Sequence, residues 1–138
     1  MDRIPTARPS WTEDMRNAAI ETLDSRQWVK GAKGKEFGEL FAAYCGAESA
    51  VPCQNGSSSL WAALKILNIG PGDEVIVPSY TFISTVTAIS LVGATPVFVD
   101  VEEDYWCIDY HSIKNALTSK TKAVIAVHIY GLLSLIHI

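Results

Sequence analysis

Hydrophobic residues recur first with a helical period and then in short unbroken runs. Met15, Ala19 and Leu23 stand four apart, one apolar face that predicts a helix reaching about Arg26. Just upstream, Ser10 and Glu13 have capping-box spacing, in which each side chain bonds the other residue's backbone amide. Phe37, Leu40, Phe41 and Tyr44 fall at i, i+3, i+4 and i+7 and predict a second helix stopped by Gly46. Gly31-Ala32-Lys33-Gly34 reads as a flexible joint between the two.

From Ser49 onward the rhythm changes. Ser49 to Gln54 reads as a short extended run, with Pro52 marking an edge or an end. Asn55 to Ser59 reads as a turn, and Leu60, Leu64 and Leu67 as a helix ending at Gly70-Pro71-Gly72. Glu74 to Val77 predicts a strand, Tyr80 to Val92 a helix despite its β-branched residues, and Pro96 to Asp100 another strand. Tyr105 to Ile108 reads as a short extended piece, and Asp109 as the N-cap of a helix running to Leu117. Lys122 to His128 predicts a buried strand, because Ala123 to Val127 is apolar throughout, the mark of a sheet covered on both faces. Strands alternating with helices imply an α/β fold with a mostly parallel sheet flanked by helices.

Composition narrows the function. With 138 residues, 49% of them hydrophobic and 19% charged, the chain is globular in type and not disordered. A net charge of −4 offers no basic face, so no nucleic-acid partner is expected. Cys45, Cys53 and Cys107 have no metal-like spacing and read as reduced thiols of a cytoplasmic protein without a metal site. Met1 to Pro5 lacks the apolar core of a signal peptide. Val75 to Val99 carries no charge and is long enough to span a bilayer. Pro78, Gly93 and Pro96 interrupt it, however, and serines and threonines lace it, so it reads as strand, helix and strand with no membrane role.

Three places could carry chemistry. Asn55-Gly56-Ser57-Ser58-Ser59 stands at a helix start, where unpaired amides and the helix dipole favour an anion such as phosphate. A serine-capped helix with no ligand would have the same sequence. Phe82 follows a strand end, where an aromatic ring can stack on a planar cofactor or simply join the core. His128 also follows a strand and could bond a cofactor or hold a loop. Glu102-Glu103-Asp104 reads as a solvated turn, and no Ser-His-Asp order stands out.

Taken together and in register, these segments resemble the DegT/DnrJ/EryC1/StrS family of pyridoxal-phosphate (PLP)-dependent sugar aminotransferases. The similarity runs from about Arg8 to Gly131. It takes in Trp28, Gly31, Glu36-Phe37, Gly56 to Leu60, Gly70 to Phe82, Gly93 to Asp100, Thr121 to Ala123 and Val127 to Gly131. The resemblance implies part of a type I, aspartate-aminotransferase-like large domain. Residues 1–34 would be an N-terminal helical segment, 35–131 the first part of the PLP-binding domain, and 132–138 a tail foreign to the family, read as a truncation scar. It places Gly56, Ser57 and Ser58 at the cofactor phosphate, Phe82 on the pyridine ring and His128 near the cofactor. Trp28, Gly31 and Tyr80 become candidate substrate contacts.

The implied reaction moves an amino group from glutamate or glutamine to a keto group of a nucleotide-linked sugar, in polysaccharide biosynthesis, by a homodimer. Ser57 and Ser59 stand where Thr and Ala are usual in the family, and Thr87 where Asn is common. The family's Schiff-base lysine and the Asp that pairs the pyridinium nitrogen have no match here, so no catalytic residue is assigned and the chain alone is expected to be inactive. A sugar dehydratase or a cyclitol or aminoshikimate-type enzyme of the same family would look alike over this stretch. A non-catalytic phosphate-binding α/β module is the alternative from another class.

Overall fold

The computed structural model describes residues 7–134, so the Met1 to Pro5 segment and the tail beyond Ser134 lie outside the described residues. The chain divides into two compact units between Pro52 and Cys53.

The N-terminal unit holds α1 (Glu13–Ser25) and α2 (Ala32–Cys45). Thr12, not Ser10, caps α1: its Oγ1 accepts the Met15 amide at 3.3 Å from an extended backbone. Glu13 therefore closes no capping box and instead meets Arg16 at 3.5 Å on the exposed surface. The predicted joint is helical. Gly31 is the N-cap of α2, and its carbonyl accepts the Gly34 and Lys35 amides. Glycine is required there, because an added Cβ would collide with the Gln27 carbonyl. Gly38 also lets another backbone approach, with the Ala50 carbonyl 2.9 Å from where a Cβ would stand. That packing explains why 49–54 forms no strand: its start lies against α2 and pairs with no sheet.

The second unit contains α3 (Gly56–Ile66), β1 (Glu74–Pro78), α4 (Ile83–Leu91), β2 (Thr95–Val99), α5 (Tyr110–Ala116) and β3 (Thr121–Val124). The strands form one parallel sheet in the order β2-β1-β3, with Ile76 level with Val97 on one side and Val124 on the other. β1 is the centre. Its Val75 and Val77 pack against Leu64, Ala88, Ile89 and Val92, on the side of α3 and α4. Ile76 points the other way, to Val99, Ile108 and Ile113, on the side of α5. Period-two alternation along one strand thus feeds two helical layers. Each such side chain contributes roughly 1.5–3 kcal/mol on burial. That burial offsets the poor helix propensity of α4, whose Ile, Thr, Val and Ser residues would not hold a helix alone.

The uncharged stretch from Val75 to Val99 is strand, helix and strand as expected, and no described helix is long and apolar enough to cross a membrane. Other boundaries move. The predicted turn at Asn55 to Ser59 is the first turn of α3, and α4 begins three residues later than its predicted start. Tyr105 to Ile108 contributes only an isolated bridge between Ile108 and Val101. β3 ends at Val124, although the Ile125 amide still reaches the Ile76 carbonyl at 2.9 Å. The expectation of cover on both faces fails there: Ala123 and Ile125 pack under α3 and α4, but Val124 is 37% exposed because the α5 layer reaches Ala126 and not Val124.

Candidate functional site

Three parallel strands bring their carboxyl ends to one edge, and the chain leaves each strand there as a loop. The α3 start reaches the same edge, because Ser57 Oγ donates to Ser84 Oγ at 2.6 Å and so ties the first turn of α3 to the first turn of α4. Two helix N-termini therefore stand side by side. Asn55 caps α3, its Oδ1 accepting the Ser58 amide at 2.9 Å, while its carbonyl takes the Ser59 amide. The Gly56 and Ser57 amides have no protein acceptor among the described residues. A Cβ at Gly56 would meet nothing within 4 Å, so the space over these amides is open. The arrangement is a neutral-capped cup of donors at the positive end of a helix, suited to an anion.

Phe82 is the N-cap residue of α4, two positions from Ser84, and its ring is 74% exposed. It is not a core residue. An exposed aromatic residue at a helix start that Ser84 ties to α3 is available to a flat ligand. Thr81 and Thr85 share a hydrogen bond of 2.9 Å that fixes the entry into α4.

Tyr80 turns elsewhere. Its hydroxyl lies 2.9 Å from that of Tyr130, and its ring meets Trp106 edge-on at 5.2 Å. The Tyr130 hydroxyl pushes the Tyr80 phenol above its ordinary pKa. Tyr80, Tyr105, Trp106, Ile129, Tyr130 and Leu132 line a hollow of about 370 Å³. Trp106 and Tyr130 both adopt left-handed backbone, φ 62° and 51°. His128 is exposed, and its Nδ1 accepts the Ser134 amide at 2.9 Å. With Nδ1 an acceptor, Nε2 carries the donor hydrogen of the neutral ring.

In the N-terminal unit, Trp28 and Gly31 line a hollow of about 660 Å³ together with Lys30, Lys33 and Val51. The Trp28 indole donates to the Leu23 carbonyl at 3.2 Å, and the residue is 68% exposed. Lys33 is held by Glu21 and Glu36 at 3.8 and 3.4 Å.

The structure thus joins Gly56, Ser57 and Ser58 to the start of α4 and Phe82. It links Tyr80 to a separate aromatic group and engages His128 with its own following turn. Sequence reasoning missed Ser84, whose partner is 27 residues away, and the hydroxyl of Tyr130. It also misread Glu102, whose carboxylate accepts the amides of Asp104, Tyr105 and Cys107 and is no mere solvated group.

Known proteins are similar to this chain in sequence and in shape. The model of the DegT/DnrJ/EryC1/StrS aminotransferase family matches residues 9–137. The UDP-N-acetyl-3-dehydro-alpha-D-glucosamine 3-aminotransferase of Acidithiobacillus ferrooxidans is 46% identical over 110 residues, which is 80% of this chain and 30% of that protein. GDP-perosamine synthase of Caulobacter vibrioides is 39% identical over 133 residues, 95% of this chain and 36% of that protein. A Streptococcus pneumoniae protein described as a sugar aminotransferase, solved in PLP and PMP forms, superposes with a TM-score of 0.90 at 36% identity, covering 94% of this chain and 33% of its own. The chain spans about a third of the length of the relatives it matches. With the family model covering nearly the whole sequence and the parallel sheet and helix layers superposing on a solved relative, the chain belongs to the DegT/DnrJ/EryC1/StrS aminotransferase family.

Proposed function

We propose that this chain forms the phosphate cup and ring platform of a PLP-dependent aminotransferase that aminates a keto group of a nucleotide-linked sugar, with an amino acid as donor. One observation carries the reading: the Ser57–Ser84 hydrogen bond, which sets the open amides of α3 beside the helix start that bears Phe82. The donor set suits the group. Two amides without protein acceptors, the Ser84 hydroxyl and open space over Gly56 match a phosphate, and an exposed aromatic residue two positions from Ser84 matches a flat heterocycle.

When bound, PLP supplies an electron sink for breaking bonds at the amino-bearing carbon. The residues of this chain would hold it. The Gly56 and Ser57 amides and the Ser84 hydroxyl would donate to the phosphate, while the Ser57 hydroxyl donates to Ser84 and so holds the two helix starts together; Ser58 supports the turn through Asn55, and Phe82 would cover one face of the ring. His128 offers Nε2–H as a donor, its ring oriented by Ser134. Trp28, Gly31 and Tyr80 are the substrate contacts that the family resemblance suggests, and a glutamate or glutamine donor and a homodimer rest on the same ground. No lysine of this sequence matches the family's Schiff-base position, so the chain itself is expected to bind PLP reversibly.

Equilibrium dialysis against PLP, with and without inorganic phosphate, tests this. The expected result is saturable binding that phosphate displaces, with no stoichiometric adduct on a lysine after borohydride reduction. Binding indifferent to phosphate, or one lysine fully modified, would contradict it.

A further inference from the structure

The loop after β2 is organised around one side chain. The Glu102 carboxylate accepts the amides of Asp104 at 2.9 Å, Tyr105 at 3.0 and 3.1 Å, and Cys107 at 3.2 Å. The Trp106 amide goes to the Glu102 carbonyl at 3.1 Å, so four successive amides are satisfied by a single residue. The Glu102 amide closes the ring by donating to the Cys107 carbonyl at 2.9 Å. Amides converging on a carboxylate make charge-assisted bonds, stronger than neutral ones. They hold Trp106 in left-handed backbone, a conformation that a bulky residue adopts only when its surroundings enforce it. Held there, Trp106 meets Tyr80, whose hydroxyl bonds Tyr130, and the hollow that they line has aromatic rings in its wall and two phenol oxygens at hand.

We propose that Glu102 is a positioning residue that sets which sugar the site accepts, by holding Trp106 and Tyr105 in the aromatic lining that they form with Tyr80 and Tyr130 around a pyranose-sized hollow. This rests on the reading of the chain as a nucleotide-sugar aminotransferase segment. The chemistry favours a sugar ring. Aromatic faces pack against its C–H surface, and the phenol pair, which shares one proton between two oxygens, keeps one donor and free lone pairs for its hydroxyls. The hollow's volume of about 370 Å³ admits a hexose with room for a substituent. Glu102 touches no sugar; it acts through the loop.

The test measures how much tighter a nucleotide-linked hexose binds than its bare nucleotide, for UDP, dTDP and GDP pairs, using the 138-residue chain. PLP affinity is measured alongside. In the wild type at least one hexose should bind about tenfold more tightly than its nucleotide. Glu102→Ala should abolish that increment while PLP affinity stays within about twofold. Glu102→Gln, which keeps one acceptor oxygen, should restore part of it. Tyr80→Phe, which leaves the loop untouched, should lower it too, and near-ultraviolet circular dichroism should show the Tyr80–Trp106 signal lost in Glu102→Ala and retained in Glu102→Gln. An increment that survives Glu102→Ala, or no increment for any of the three pairs, overturns the proposal. PLP binding with an increment indifferent to Glu102 leaves the functional reading standing and sinks this one. An increment that depends on Glu102 in a chain that does not bind PLP does the reverse.

Discussion

Two helices of the second unit start with an Asx residue and serve opposite ends. At α5, Asp109 Oδ2 accepts the Ser112 amide at 2.7 Å. The Ser112 hydroxyl and amide hold that carboxyl below its ordinary pKa, so the helix start carries its own negative charge. At α3, neutral Asn55 makes the same kind of bond to Ser58 and adds no charge. The Gly56 and Ser57 amides stay open beside a second helix start. A self-neutralised terminus is finished as structure, whereas a neutral cap over glycine and serine leaves a field for an outside anion to complete.

The sharpest way to break this contrast is to make α3 resemble α5. Asn55→Asp should keep the cap and stabilise the unliganded chain, yet set a charge against the phosphate. At an effective dielectric between protein and water this costs about 2 kcal/mol, or roughly thirtyfold in PLP affinity, read by equilibrium dialysis. Removing the platform comes next. Phe82→Ala should weaken PLP binding about tenfold while leaving inorganic phosphate unaffected, because stacking of this kind is worth about 1 kcal/mol beyond the area covered. Ser84→Ala should cost about threefold to fivefold for both ligands, the range of one hydrogen bond.

The smallest effect belongs to α5. Because the folded Asp109 carboxyl titrates below its unfolded value, its stabilisation is present above the ordinary carboxylate range and is lost as pH falls through the folded value. Asp109→Asn should therefore lower the melting temperature near pH 7 by only about two degrees, and the gap from wild type should narrow in acid. A gap that widens in acid would contradict the sign.

The architecture could be read from local pattern because its causes are local. The apolar run Val75 to Val77 has no way to be satisfied except inside a sheet, and Gly93, at φ 82°, marks the end of α4 as a left-handed turn should. The Asp109 cap was legible for the same reason. The site was legible only in part. Gly56 and Phe82 announce themselves by type and place, but Ser84 matters solely because folding brings it to Ser57, and no spacing rule reaches across 27 residues. Glu102 looked solvated because acidic runs usually are. Its role comes from a loop that curls back on its own carboxylate. Ser49 to Gln54 has strand-like composition and forms none, since close packing against Gly38 takes the place of pairing.

The most direct test follows the amide and aromatic-ring resonances of the labelled chain while PLP, and separately inorganic phosphate, is added. PLP should shift Gly56, Ser57 and Ser84 together with the Phe82 ring, and phosphate should shift the three backbone positions but not the ring. Gly56 and Ser57 standing still while PLP saturates some other part of the chain would contradict the account.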